Sequence, residues 1–180
     1  MDISLLSRAP FHIISYGTVL GATVFHTLSN QHIISSSLPI QLSAYVLANI
    51  YPPYFMLQTV GTVVMALTFP SSGGVMALWW PGNRWQVMFP MACMFVTGFS
   101  NWTAVLPAAI EYSLQIDELE DQVDAAKDES TRAKIRSLVE AKRTNYLRLQ
   151  ALGGVLNAGT MFGAVAYGLT LSSRLRRWGE

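Results

Sequence analysis

Polar side chains recur at helical intervals in an otherwise apolar chain, and they are the residues that could do chemistry. Between Pro10 and Asn30 the positions His12, Tyr16, Val19, Thr23, His26 and Asn30 follow one another in steps of four and three, and only Val19 among them is apolar. Steps of that size place side chains on one face of a helix. Tyr146, Gln150, Gly153, Asn157, Thr160, Ala164 and Tyr167 repeat the pattern, while Gln58 with Thr62 and Thr97 with Asn101 mark two further apolar segments. In hydrocarbon an unsatisfied polar group costs several kcal/mol, so each of these faces must find partners. They can act as hydrogen-bonding glue between helices, worth about 0.6–2 kcal/mol each. They can equally line a path for a small molecule or a proton, in which histidines titrate near neutral pH.

The same segments exclude several kinds of chemistry. They contain no Asp, Glu, Lys or Arg, which argues against an ion-coupled pump. No nucleophile sits beside a base, and there is no phosphate-binding loop and no pair of carboxylates within the apolar segments, so no catalytic residue is assigned and a non-enzymatic protein is expected. Met88, Met91 and Met94 share an arc beside Cys93, a set that could hold a soft metal. With no second thiolate nearby, methionine as packing filler is the better reading, and no metal or other cofactor is expected. A single cysteine forbids an intramolecular disulfide and a CxxC zinc site. A formal net charge of +1 offers no polycation for nucleic acid. Asn101-Trp102-Thr103 fits a glycosylation sequon but falls where hydrocarbon would bury it, so the match is accidental.

The elements that must position these faces follow from charge. Charged residues make up 13% of the 180-residue chain, and none lies between Ala9 and Asn83, Trp85 and Ile110, or Leu149 and Ser173. With 51% apolar residues, this is the composition of one integral membrane domain, with the lipid bilayer as its first partner. Segments long enough to cross as helices lie at about 10–30, 53–69, 87–107 and 149–171. Breaks are expected at Ser35–Pro39, Pro52-Pro53 and Pro70-Ser-Ser-Gly-Gly; residues 40–50 read as an interfacial helix or as the start of a longer second span. Trp79, Trp80 and Trp85 around Pro81-Gly82-Asn83-Arg84 fit a short loop at headgroup depth. The amino terminus has neither a basic region nor a small-residue cleavage site, so the first segment is expected to stay as a signal anchor. Gly17-Thr-Val-Leu-Gly21 and Gly159-Thr-Met-Phe-Gly163 permit close helix approach, within the chain or in a homo-oligomer.

Residues 111–148 hold nine acids and seven bases, most of the chain's charge. Ile116, Leu119 and Val123, then Ile135, Leu138 and Val139, recur at helical spacing on either side of Asp128-Glu129-Ser130-Thr131. This predicts two amphipathic helices extending the third and fourth spans as an antiparallel hairpin, a surface on which a protein partner could dock. Ion pairs such as Asp128 with Arg132 and Arg136 with Glu140 would support a solvated face equally well. The fold expected is therefore all-α: a four-helix membrane bundle with a protruding charged helical hairpin. Lys and Arg counts on the two sides are too similar to orient it.

Ser37-Leu38-Pro39 followed by Tyr51-Pro52-Pro53-Tyr54-Phe55, Asn101 six residues before Pro107, and Arg148 nine residues before Asn157-Ala158-Gly159 stand in a characteristic order. In that order and spacing the chain resembles the transmembrane protein 205-like family over about residues 10–172. The family's acidic residue before the third-span proline is Leu106 here. The resemblance implies a polytopic protein, of a eukaryotic endomembrane, with no catalytic residues and a loosely defined role in vesicular export. Independently, the four-span topology brings the distinctive positions to one membrane face. It predicts a polar cluster of His26, Tyr54, Asn101, Arg148 and Asn157, with Arg148 reaching the headgroups. Two functions follow: an accessory or trafficking protein whose hairpin docks a partner, or a small transporter or binder of an uncharged or lipidic ligand using that cluster.

Overall fold

The computed structural model describes residues 3–30, 37 and 40–178, and every regular element among them is helical. Helix α1 spans Ile3–Phe25 and closes in a π-helical turn, His26–Asn30. Helix α2 spans Ile40–Leu67. A short 3-10 segment, Gly74–Trp79, leads into α3, Pro81–Ala125, which is interrupted by π-helical turns at Arg84–Met88 and Asn101–Val105. Helix α4 runs unbroken over Glu129–Trp178. Of the Ser35–Pro39 connection only Ser37 falls among the described residues.

Three of these helices contain stretches long and apolar enough to cross a membrane: Ala48–Leu67 in α2, α3 and α4. Helix α1, which carries Arg8, His12 and Tyr16, is not among them. His12 and His26 are turned inward and buried, while Phe11, Ile14, Val24 and Phe25 are exposed. The inversion holds elsewhere: Val60, Val155, Phe162 and Leu169 face outward, whereas Gln58, Asn101, Asn157 and Thr160 are buried. An apolar exterior over a polar interior is the pattern that lipid imposes on a helical protein.

Pro52 and Pro53 do not break α2, which continues through them for its full length. The expectation of an interruption fails there because lost hydrogen bonds of a proline in a helix can be tolerated when neighbouring helices hold the segment. Pro52 and Pro53 have no N–H, so the carbonyls of Ala48 and Asn49 lose their usual donors four residues on. Helix α2 ends as Thr68 and Phe69 turn back on Val64 and Ala66, and the Met65 carbonyl hydrogen-bonds the His12 ring at 2.9 Å.

Close approach between helices is set by glycine. A Cβ on Gly61 would collide with the Val19 side chain, and one on Gly163 would stand 2.8 Å from Met94 Cγ and 2.9 Å from the Pro90 carbonyl. Gly159–Gly163 therefore serves the α3–α4 contact. At Gly17 and Gly21 an added Cβ would meet nothing within 4 Å, so that motif packs against no described neighbour. Val19, Met65, Met94 and Ala164, all fully buried, form the apolar heart of the assembly.

Beyond the apolar segments α3 and α4 continue as charged arms joined by residues 126–128. Lys142 Nζ donates to Gln115 Oε1 at 2.7 Å and lies 5.3 Å from the Tyr112 ring centroid, linking one arm to the other. Asp128 does not pair with Arg132. Its carboxylate caps α4, accepting from the Thr131 amide and hydroxyl, each at 3.1 Å, and from the Ser130 hydroxyl. Glu129, one residue on, is the acid that meets Arg132 and Arg136, at 3.8 and 4.0 Å. These pairs are exposed and contribute little.

Two predictions follow from this packing. Gly61→Ala should cost about 1–3 kcal/mol through overpacking against Val19, measured by unfolding in detergent, and Val19→Ala in the same chain should recover part of the loss. The hydrogen bonds from Ser130 and Thr131 hold the Asp128 carboxyl below the ordinary aspartate range. A depressed pKa means that this support is present above the unfolded aspartate value, about 4, and is lost as pH falls through the lower folded value. Protection factors of the amides at residues 130–132, taken relative to the intrinsic exchange rate at each pH, should therefore fall on acidification, and Asp128→Ala should produce that fall at neutral pH.

Candidate functional site

The cluster begins at Gln58, fully buried on the face of α2 that also carries Tyr54 and Thr62. Its side-chain amide nitrogen faces the Thr23 hydroxyl at 3.0 Å, the Tyr54 hydroxyl at 2.6 Å and Asn157 Oδ1 at 3.0 Å. Two protons cannot serve three acceptors at once, so the amide is shared among them. The Tyr54 hydroxyl donates to Asn157 Oδ1 at 2.6 Å, and Asn157 Nδ2 donates to the Thr27 hydroxyl at 2.6 Å. One network thus ties α1, α2 and α4 together through neutral groups.

Aromatic rings extend the network toward one end of the assembly. The His26 ring lies 4.0 Å from the Tyr54 ring and 5.0 Å, nearly perpendicular, from Tyr51; Tyr51 lies 5.6 Å from Phe55. From the other side α3 supplies Asn101, which opens the π-helical turn Asn101–Val105. Such turns widen a helix locally and concentrate at functional sites. Asn101 Nδ2 donates to the Gly153 carbonyl at 3.2 Å, an interaction that fixes which end of the amide is nitrogen. Asn101 Oδ1 and Gln58 Oε1 are buried without a hydrogen-bond partner among the described residues. Leaving such an oxygen unsatisfied costs about 1–3 kcal/mol.

Asn101 lines a cleft of about 80 Å³ between α2, α3 and α4, with His26, Tyr51, Phe55, Gly153 and Asn157 on its walls, aliphatic side chains of α3 beside them, and Ser113, Tyr146 and Gln150 as further polar lining. None of the residues lining it is charged. His26, Asn101 and Asn157 reach this cleft directly, and Tyr54 joins them through its bond to Asn157 and its contact with His26. Arg148 does not join the cluster. It is exposed and absent from the lining, because it falls on the outward face of α4 beside the inward Leu149. Position in chain order groups Arg148 with the cluster; helical phase, one residue from Leu149, turns it away.

The residues that chain order alone overlooks are Gln58 as the hub, Thr27 as the last acceptor and Tyr51 as a wall. Their signal was present: Tyr51, Tyr54, Gln58 and Thr62 follow at steps of three and four. A second buried polar group lies at the other end of α1. There His12 joins the Met65 carbonyl to the Tyr167 hydroxyl, and Tyr16 donates to the Ala164 carbonyl at 3.3 Å. Nearby Arg174 donates to Asn83 Oδ1 at 2.6 Å. The apolar layer of Val19, Met65, Met94 and Ala164 separates the two polar groups. Among the described residues no group of His, Cys, Asp and Glu could hold a metal ion.

Asn157→Leu should strand the Tyr54 and Thr27 hydroxyls and lower stability in detergent by about 1–3 kcal/mol. Arg148→Ala, on the outward face, should leave the unfolding midpoint unchanged.

Residues 14–118 match the model of a family described as a domain of unknown function, DUF4149. That stretch contains His26, Tyr54, Gln58 and Asn101, whereas Asn157 and the glycine wall lie beyond it in α4. The chain is also similar to "Xanthocillin biosynthesis cluster protein D" of Aspergillus fumigatus, 26% identical over 166 residues that cover 92% of this chain and 90% of that protein. No solved structure matches.

Proposed function

The chain belongs to the DUF4149 family, and from that premise we propose that it is a non-enzymatic membrane protein that binds or carries a small uncharged or lipidic molecule in the cleft at Asn101 and Asn157. The observation that carries this reading is the Asn101 side chain: fully buried, held by Gly153, and keeping an unpartnered oxygen at a cleft whose other lining residues are uncharged. Glue between helices uses its polar atoms on other helices, whereas this one is left for something else. The absence of charge from the lining favours a neutral ligand, because an ion would go without a counter-charge in low dielectric.

On this reading four helices form the membrane bundle, with α1 crossing beside the three more apolar ones and its polar face serving the site. The motifs around Pro39, Pro52-Pro53, Asn101 and Arg148 support placing the protein among the transmembrane protein 205-like proteins. That placement, with a relative from a eukaryote, favours an endomembrane. A relative named for a biosynthesis cluster favours handling of a small product or precursor over a purely structural role.

A second reading has one observation in its favour. On this reading the charged arms of α3 and α4 act as a helical hairpin; Leu114, Leu138 and Leu147 on them are exposed, a mixed surface suited to docking a protein partner.

The two readings separate experimentally. Purification in mild detergent followed by mass spectrometry of bound small molecules should recover a neutral species from the wild type, and Asn101→Leu with Asn157→Leu should lose it. Deleting Gln122–Ala141 should leave that recovery intact. If the deletion removes a co-purifying protein while the double variant changes nothing, the docking reading replaces the ligand reading.

A further inference from the structure

The walls of the cleft carry more information than its neutrality. On one side stand the rings of His26, Tyr51 and Phe55, mutually inclined. From α4 the same cleft is lined by Gly153 and Gly154. A Cβ at Gly154 would meet nothing within 4 Å, and one at Gly153 would stand 3.4 Å from Asn101 Oδ1. The two glycines therefore leave this part of the lining to backbone, with room at Gly153 for a Cβ in ordinary contact with Asn101 Oδ1 and Val105. Aromatic edges and faces beside bare backbone suit a planar ring better than a branched aliphatic group.

The fully buried side-chain atom left without a partner at this cleft is an acceptor, whereas the Tyr51, Ser113 and Tyr146 hydroxyls of the lining are not fully buried. Asn101 Oδ1 has no donor among the described residues. Ala48, which also lines the cleft, has a carbonyl that lost its helical donor because residue 52 is proline. Oxygens that can only accept are satisfied by an O–H or N–H brought in from outside.

We propose that the ligand is a neutral aromatic molecule bearing a hydrogen-bond donor, of which a phenol is the simplest form. Its ring lies against the His26–Tyr51–Phe55 wall and the Gly153–Gly154 backbone, and its donor is directed at Asn101 Oδ1. This rests on the ligand reading of the cleft and adds the ligand's class to it.

The test uses the full chain in lipid nanodiscs and ¹⁹F NMR line broadening with three probes: 4-fluorophenol, 4-fluoroanisole, which keeps the ring without the donor, and a fluorinated long-chain alcohol, which keeps the donor on a lipid-like chain. Gly154→Leu adds bulk to a lining residue where a Cβ would meet nothing, so it serves as the blocked control and cancels partition into the bilayer. 4-Fluorophenol should bind in a manner abolished by Gly154→Leu, with 4-fluoroanisole and the alcohol each weaker by roughly ten-fold. Asn101→Leu should remove the difference between phenol and anisole. Equal binding of phenol and anisole would overturn the donor, and equal binding of the alcohol would overturn the ring, while either result leaves the cleft as a binding site. Probes that all ignore Gly154→Leu would overturn the site itself, and the proposed function with it.

Discussion

The interior of this protein is governed by the cost of shutting an amide or hydroxyl away from water, several kcal/mol unless it finds a partner. Helices that meet lipid on their outer faces have no other place to put polar side chains than against one another. Gln58, Asn157, Tyr54, Thr23 and Thr27 meet most of that cost together, each bonding across to another helix, while Gln58 Oε1 is left without a partner among the described residues. The two Gln58 amide protons serve three acceptors, and the Tyr54 hydroxyl both accepts from Gln58 and donates to Asn157, so the bonds form one connected network. His12 does the same at the far end by joining the end of α2 to α4.

Against that economy the exceptions stand out. Helix α2 carries two prolines in mid-run and α3 carries a π-helical turn at Asn101, and both irregularities border the same cleft. Each releases or redirects backbone groups, a cost tolerated in membranes where protein or ligand surrounds the segment. Asn101 oxygen adds an unsatisfied acceptor at the same place. Regular helices would have packed more tightly there. Their local disruption beside glycines 153 and 154 is what leaves a cavity with hydrogen-bonding capacity instead of a continuous apolar seam.

Several features were legible from residue order. The inward faces of the first and fourth apolar segments were visible as steps of three and four, because helical phase depends only on local geometry. His26, Tyr54, Asn101 and Asn157 could be brought toward one end by counting along alternating helices. Arg148 could not, since one residue of phase separates it from the cleft-lining Leu149, and chain position carries no phase. The reading of Pro52-Pro53 as a break failed for a related reason: local propensity disfavours proline in a helix, and support from neighbouring helices overrides it. Asp128 was legible as a turn residue, but whether its carboxylate would cap α4 or pair with Arg132 depended on the last half-turn of backbone.

The sequence by itself determined that the chain is helical, that it is built for lipid and that it keeps its charges in residues 111–148, because composition and periodicity answer to solvent and to local geometry. Only the tertiary structure decided that Gln58 is the hub, that Asn101 keeps an oxygen without a partner and that Gly153 and Gly154 line the cleft. Those facts depend on distances between helices, which are set by which side chains interlock across a contact. No pattern along a single helix contains that information.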